Sequence, residues 1–201
     1  MTKDLFLKEV AASGYNIGYA AKKHFATYDI VEKAPGWISL ITLALGVMAL
    51  INPLFDDHTL AASVLIVGIA SMYFNSYLDT RREYCTHGET LTGHFTSLRN
   101  LYYEILSRDD KDSFDDLKAR YQSVLSSSQQ IGSSKHIFLS DWYAHYKFFW
   151  QAQIGWIDEQ LKFRFWRDKV PLSAAVAIVL TIIAGVFLLV RAYLGCAVAT
   201  A

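Results

Sequence analysis

The feature that most constrains this chain is an uninterrupted apolar run at residues 170–190. It contains no charged residue, and its only polar side chains are Ser173 and Thr181. A bilayer has an apolar core about 30 Å thick, which a helix of about 20 residues crosses. Each Leu, Ile, Val or Phe near the membrane centre favours insertion by roughly 0.3–0.6 kcal/mol. The run is therefore predicted to be a transmembrane helix rather than the core helix of a soluble protein.

Two further apolar stretches, residues 37–55 and 59–78, are separated only by the tripeptide DDH at 56–58. Each is long enough to cross a bilayer, although both contain more polar residues than the run at 170–190. The short connection predicts an antiparallel hairpin of two transmembrane helices. The alternative is a buried hairpin inside a soluble α-helical domain.

The positions of the basic residues predict the orientation of these spans. Residues 1–36 carry five lysines and residues 79–169 carry thirteen lysines and arginines, whereas the tripeptide between the first two spans has none. Positive charge accumulates on the cytoplasmic side of membrane proteins. The N-terminus and residues 79–169 are therefore expected in the cytoplasm, and the C-terminus outside.

A basic and aromatic segment precedes the last span and is expected to lie at the membrane interface. Aromatic side chains favour headgroup depth, and each basic side chain contributes about 1 kcal/mol of attraction to anionic lipid. Nucleic-acid binding is not predicted, because the net charge of the chain is +0. The predicted anchors are Lys162, Arg164, Trp166, Arg167 and Lys169.

The hydrophilic regions are predicted to be helical, because apolar residues recur at steps of three and four. One such stripe runs from Leu7 to Val31 and is expected to end before the APGW sequence at 34–37. A second runs from Tyr84 to Ile105, and the two stripes are expected to pack on each other or on neighbouring subunits. A third helix is predicted to begin near residue 112, and a long helix is predicted to lead from 138 into the last span.

The resulting prediction is an all-α integral membrane protein with a transmembrane helical hairpin, a third C-terminal transmembrane helix and a cytoplasmic helical layer. The expected parts are listed in chain order: a cytoplasmic amphipathic helix at 1–36, the hairpin at 37–78, a cytoplasmic helical region at 79–169, the third span at 170–190 and an external tail at 191–201.

Sequence motifs for catalysis are lacking. The chain has no HExxH, GxSxG, phosphate-binding GxxxxGK[ST] or paired CxxC motif, and GYNIGYA at 14–20 lacks the third glycine of a dinucleotide fingerprint. His87 and His94 share a helical face, yet two histidines are a weak zinc signal. His136 and His145 stand among aromatic residues and are expected to be packed or interfacial. We predict no catalytic residue, cofactor or metal, and a small membrane enzyme that uses the histidines is the less favoured alternative.

Small and hydroxyl-bearing residues recur on one face of each span. Such faces let membrane helices approach closely, and their hydroxyl and amide groups bond across an interface or line a wet path. An amide inside a span is costly unless it is paired or hydrated. The predicted interface or pore-lining residues are Ser39, Thr42, Gly46, Gly68, Ser71, Asn75, Ser173 and Thr181.

The order of these parts resembles the SLATT group of bacterial two-span effector domains. The resemblance lies in the GYAAKKHFATYD helix at 18–29, the short-looped pair of spans, the basic exit LDTRREYCTHGE at 78–89 and the tail WIDEQLKFRFWRDKVPLS at 156–173. It implies an effector that oligomerises in the inner membrane of a bacterium and permeabilises it during antiphage defence. It also implies a partner protein that senses or synthesises a nucleotide. A non-conducting membrane scaffold or partner subunit is the alternative, and the third span departs from the two-span pattern.

Overall fold

Every regular element of the chain is helical over residues 2–51, 57–110, 112–131 and 135–199, which are those that its computed structural model describes. The chain forms two compact units, Met1–Leu161 and Lys162–Ala201. The first unit contains α1 (Lys3–Ile51), α2 (Asp57–Leu78), α3 (Arg81–Ser107), α4 (Asp115–Gln129), α5 (Ser140–Tyr146), a π-helix (Lys147–Gln151) and α6 (Gly155–Leu161). The second unit contains α7 (Phe165–Asp168) and α8 (Leu172–Ala199).

The two predicted apolar stripes lie on α1 and α3, which pack on each other within one chain. On α1 the stripe buries Val10 completely, and on α3 it buries Leu98 and Ile105 completely. Burying one such side chain contributes about 1.5–3 kcal/mol. Because each stripe is covered by the other, this face is not available for packing between subunits. The N-terminal half of α1, with α3 to α6 and the π-helix, is called the soluble layer below.

The two glycines of the GYNIGYA sequence are positions of close approach. A Cβ on Gly14 would overlap the indole of Trp156, and a Cβ on Gly18 would come within 2.7 Å of the Phe95 ring and 3.0 Å of the Phe148 ring. Any larger residue at either position would displace an aromatic ring from the core. The glycines therefore serve helix packing.

Helix α1 continues through Pro35, so the predicted end of the first helix before APGW is wrong. A proline inside a helix removes one hydrogen bond and costs about 3 kcal/mol relative to alanine. Here α1 has buried residues up to Ala34, and the Ser39 hydroxyl donates to the carbonyl oxygen of Pro35 over 2.9 Å. The packing of the residues before Pro35 and the regular helix after it contribute more stability than the missing hydrogen bond costs. The predicted boundary at residue 36 therefore falls inside one continuous helix.

The long helix predicted from residue 138 into the last span is also wrong. Regular helix is interrupted at 152–154, at 162–164 and before α8. A π-helix over Lys147–Gln151 contains the buried Phe148 and Phe149 and precedes the first interruption. At the second interruption Lys162 adopts a left-handed φ of 52°. No continuous helix therefore connects the soluble layer to residues 170–190.

Helix α4 confirms the third predicted helix and buries Leu117 and Tyr121. It continues to Gln129, so the first residues of the SSSQQIGSSK sequence at 126–135 are helical. Within that sequence, residues 132–134 lie outside the described part of the chain.

Candidate functional site: the exposed apolar hairpin

The hairpin, formed by residues 37–51 of α1 and by α2, keeps its apolar side chains on the outside. Leu50 is 89% exposed, and Met72 is 75% exposed. In the most apolar segments of these two helices, 6% and 0% of the residues are buried. The core helix of a soluble protein would bury such residues. Both helices are long and apolar enough to cross a bilayer, while residues 52–56 of the connection lie outside the described chain.

A groove of about 440 Å³ runs along one side of the hairpin and reaches the soluble layer. It is called the hairpin groove below. Its lining residues are Asp29, Ile30, Lys33, Ala34, Trp37, Ile38 and Ile41 of α1, Val67, Ala70 and Phe74 of α2, and Tyr143 of α5. Sequence periodicity gave no indication of this groove, because it depends on how α1, α2 and α5 meet.

The predicted interface residues of α1 lie on a different face from the hairpin groove. Ser39, Thr42 and Gly46 line a second, open depression formed by α1 side chains alone. The Ser39 and Thr42 hydroxyls donate to the carbonyl oxygens four residues earlier, over 2.9 and 2.8 Å. A Cβ on Gly46 would meet no atom within 4 Å. Within the described residues of the first unit, no side chain from another helix lines this α1 face.

The predicted interface residues of α2 do not meet those of α1 in the groove. Gly68 and Asn75 are exposed and Ser71 is half-buried, and none of them lines the hairpin groove. In the second unit Ser173 and Thr181 are exposed, and the Thr181 hydroxyl donates to the carbonyl oxygen of Ala177 over 2.8 Å. Helix α8 is apolar over Leu172–Leu188, and its crossing of a membrane stays a prediction.

The predicted interface anchors belong to the second unit, and three of them are exposed. The exposed anchors are Lys162, Arg164 and Arg167. Asp168 takes up part of their charge, since its carboxylate accepts a hydrogen bond from the Arg167 Nε over 3.0 Å. The side chain of Trp166 lies outside the described residues. Lipid contact by this segment stays a prediction.

Polar contacts join the hairpin to the soluble layer where the two meet. The hydroxyl oxygen of Tyr73, on α2, accepts a hydrogen bond from the backbone N–H of Phe138 over 3.0 Å. Arg81 forms an ion pair with Glu32 over 3.2 Å, which ties the start of α3 to α1. The Tyr73–Phe138 hydrogen bond therefore fastens the hairpin to the soluble layer, whereas the Arg81–Glu32 ion pair holds α3 to the part of α1 that precedes the hairpin.

A second ion pair joins the π-helix to α1. Lys147 of the π-helix pairs with Asp29 of α1, and both side chains are largely buried. The Lys147 ammonium also lies 4.6 Å from the centre of the Tyr143 ring. Breaking a buried pair by removing one partner is strongly destabilising, because the remaining charge is left desolvated. This pair therefore fixes the π-helix against α1.

Three histidines that are distant in sequence meet inside the soluble layer, and we call them the histidine cluster. The ring of His24 lies 5.3 Å from that of His87 and 4.9 Å from that of His136, both in edge-on geometry. His24 is 4% exposed, and its Nδ1 has no hydrogen-bond partner among the described residues. His94, expected to share a face with His87, is not in the cluster. The prediction that His136 and His145 are packed among aromatic rings is confirmed.

The surroundings of the histidine cluster favour neutral rings. Burial, and then the neighbouring His136 and His87, lower the pKa of His24 to about 4. Burial, and then Lys23, lower the pKa of His136 to about 4. Over residues 2–51, 57–110, 112–131 and 135–199, no three His, Cys, Asp or Glu side chains are arranged to hold a metal ion.

Cys85 lacks the surroundings of a reactive thiol. Burial, and then the carboxylate of Glu89, raise the pKa of its thiol. Its Sγ lies 3.8 Å from the Glu89 Oε1, as expected for two residues on one helical face. A raised pKa disfavours the thiolate, which is the nucleophilic form.

One family profile matches most of the chain. The family is described as SMODS and SLOG-associating 2TM effector domain 6, and the match covers residues 1–178. The chain belongs to this family. The resemblance to the SLATT group is thereby confirmed, and with it the assignment as a membrane effector domain of conflict systems. The match includes both helices of the hairpin and ends within the apolar run of the third predicted span. No curated protein and no solved structure matched the chain.

Proposed function

We propose that this SLATT-family chain oligomerises in the bacterial inner membrane through its hairpin and permeabilises that membrane in antiphage defence. A nucleotide-linked signal, delivered by a sensing or synthesising partner protein, controls it. The N-terminus and the soluble layer face the cytoplasm, and the C-terminus faces outward. The proposed function requires neither nucleic-acid binding nor a catalytic residue in this chain.

One observation carries the proposal: no other helix among the described residues of the first unit lines the small-residue face of α1. Gly46 is exposed, and the space around its Cα is open. Close contact between membrane helices depends on such small residues. Because α2 contacts a different face of α1, the face of Ser39, Thr42 and Gly46 fits a helix from a second copy. The Ser39 and Thr42 hydroxyls then line the contact or the water path beside it.

The signal reaches the hairpin through direct contacts at its base. A continuous helix from residue 138 into the third span does not exist, so it cannot act as a lever. Instead the hydrogen bond between Phe138 and Tyr73 connects the soluble layer to α2, and α1 runs without a break from that layer into the hairpin. A shift of the soluble layer displaces the hairpin through these contacts, provided that the hairpin has two arrangements of similar energy.

The experiment is a measurement of membrane potential with a voltage-sensitive dye in cells that express the chain with and without its nucleotide-linked partner. Gly46→Leu places a branched side chain in the proposed helix contact and is expected to abolish depolarisation. Ala44→Leu adds the same side chain to another exposed face of α1 and is the matched control. It is expected to leave depolarisation intact at equal protein levels in the membrane.

The non-conducting scaffold is the competing function, and the same experiment decides between the two. A wild-type chain that never depolarises the membrane, with or without the partner, favours the scaffold. Equal depolarisation by the Gly46→Leu and Ala44→Leu variants refutes the proposed contact.

A further inference from the structure

The hairpin groove is polar at one end and apolar at the other. Its end toward the soluble layer carries Asp29, Lys33 and the ring of Tyr143. Its other end is formed by Ile41 and Val67. A molecule that fills the groove must therefore have a hydrophilic end and a long apolar part.

The length of the groove matches one leaflet of a bilayer. Its polar and apolar ends are marked on α1 by Asp29 and Ile41, which are twelve residues apart, about 18 Å along a helix. Half of a bilayer's hydrocarbon core is about 15 Å thick. Trp37 lies between the two ends and is 62% exposed, so the groove is open toward the surrounding medium.

The polar end of the groove carries one uncompensated positive charge. Asp29 is neutralised by its ion pair with Lys147. Lys33 is exposed and makes no ion pair within the described part of the chain. The charge at this end therefore complements an anionic headgroup.

The volume of the groove suits a thin occupant. The groove holds about 440 Å³, and its length along α1 is about 18 Å. A single hydrocarbon chain is much thinner than a helix.

We propose that the hairpin groove binds one acyl chain of an anionic phospholipid, whose phosphate lies beside Lys33. The site rests on the proposed insertion of the hairpin into the membrane and adds a regulator to it. Because Tyr143 belongs to the soluble layer, a bound lipid contacts both that layer and the hairpin. Lipid binding in the groove therefore influences how the soluble layer contacts the two helices of the hairpin.

The test uses the full-length protein in phosphatidylcholine vesicles, with phosphatidylglycerol bearing a diazirine in its acyl chain as the probe. Light-induced adducts are mapped by mass spectrometry and are expected at the groove. Ala70→Trp fills the groove and is expected to lower these adducts about tenfold. Ile69→Trp places the same ring on a neighbouring position of α2 that does not line the groove, and is expected to leave them unchanged.

The contribution of Lys33 is tested in the same vesicles. Lys33→Ala is expected to lower the preference for phosphatidylglycerol over phosphatidylcholine analogues about fivefold, which corresponds to about 1 kcal/mol. Lys33→Arg retains the preference, and Lys8→Ala, an exposed lysine away from the groove, leaves it unchanged. A fatty acid that carries a diazirine is tested as an additional probe. It is expected to label the groove less than the diazirine phospholipid does.

Several outcomes overturn the proposal. Equal labelling by the phosphatidylcholine analogue or the fatty acid refutes an anionic phospholipid site, as do equal adducts in the Ala70→Trp and Ile69→Trp variants. Crosslinks between two copies at groove residues assign the groove to protein contact.

Dye leakage from the same vesicles is recorded separately, so that the two proposals can be told apart. Leakage without selective labelling refutes the lipid site alone. Selective labelling without leakage refutes permeabilisation alone.

Discussion

Acidification is expected to destabilise the soluble layer through the histidine cluster. The pKa of His24 is about 4 in the folded chain and about 6.5 in an unfolded one. Between these two values the unfolded chain binds a proton that the folded chain excludes. Stability therefore increases with pH in this window, is complete above about pH 6.5 and is lost as the pH falls toward 4.

The magnitude follows from the same two pKa values. Between about pH 7 and pH 5, the proton taken up by unfolded chains at His24 lowers the free energy of unfolding by about 2 kcal/mol. His136 acts in the same direction, because its pKa is also lowered to about 4. For a domain of this size, 2 kcal/mol corresponds to a decrease in melting temperature of about 6 °C.

The assay is thermal unfolding of the detergent-solubilised protein, followed by circular dichroism at several pH values. His24→Phe keeps a ring in the buried position and removes the titrating group. Its melting temperature is expected to depend less steeply on pH than that of the wild type. Identical pH dependence in the two proteins would refute the argument, because it would show that the buried imidazole contributes nothing to acid unfolding.

Four further substitutions test the packing described above. Asp29→Ala should lower the free energy of unfolding by about 2–3 kcal/mol, because Lys147 loses its partner in a largely buried position. Gly18→Ala should destabilise by about 1–3 kcal/mol through the clash with aromatic rings, whereas Gly93→Ala, with open space around it, should stabilise α3 by up to about 1 kcal/mol. Pro35→Ala should raise the melting temperature, because it restores a hydrogen bond inside α1.

Chemical denaturation, read by circular dichroism, measures these changes. Asp115→Ala, which removes the exposed ion pair with Lys118, is the control for Asp29→Ala and should cost less than about 1 kcal/mol. Equal losses in the two variants would contradict the special role of the Asp29 pair. Equal effects of Gly18→Ala and Gly93→Ala would contradict the close packing of α1. A lower melting temperature after Pro35→Ala would show that the proline fits a bend that the fold requires.

The sequence alone predicted the helical class, the two apolar spans of the hairpin and the packed faces of α1 and α3. These features depend on local periodicity and on the length of apolar runs, which a single segment carries by itself. Val10 and Leu98 show this, because each falls on its stripe and each is completely buried. The family followed from the order of the parts in the same way.

Tertiary structure decided where helices end and which distant residues meet. Pro35 is tolerated because packing before it holds α1, whereas the helix predicted after residue 138 is interrupted at 152–154 and again at 162–164, where Lys162 has a left-handed φ. The histidine cluster and the hairpin groove bring together residues far apart in the chain. Such contacts are set by how whole helices pack, and no local pattern encodes them. His24 was the one visible signal, since it is a titratable residue on an apolar stripe.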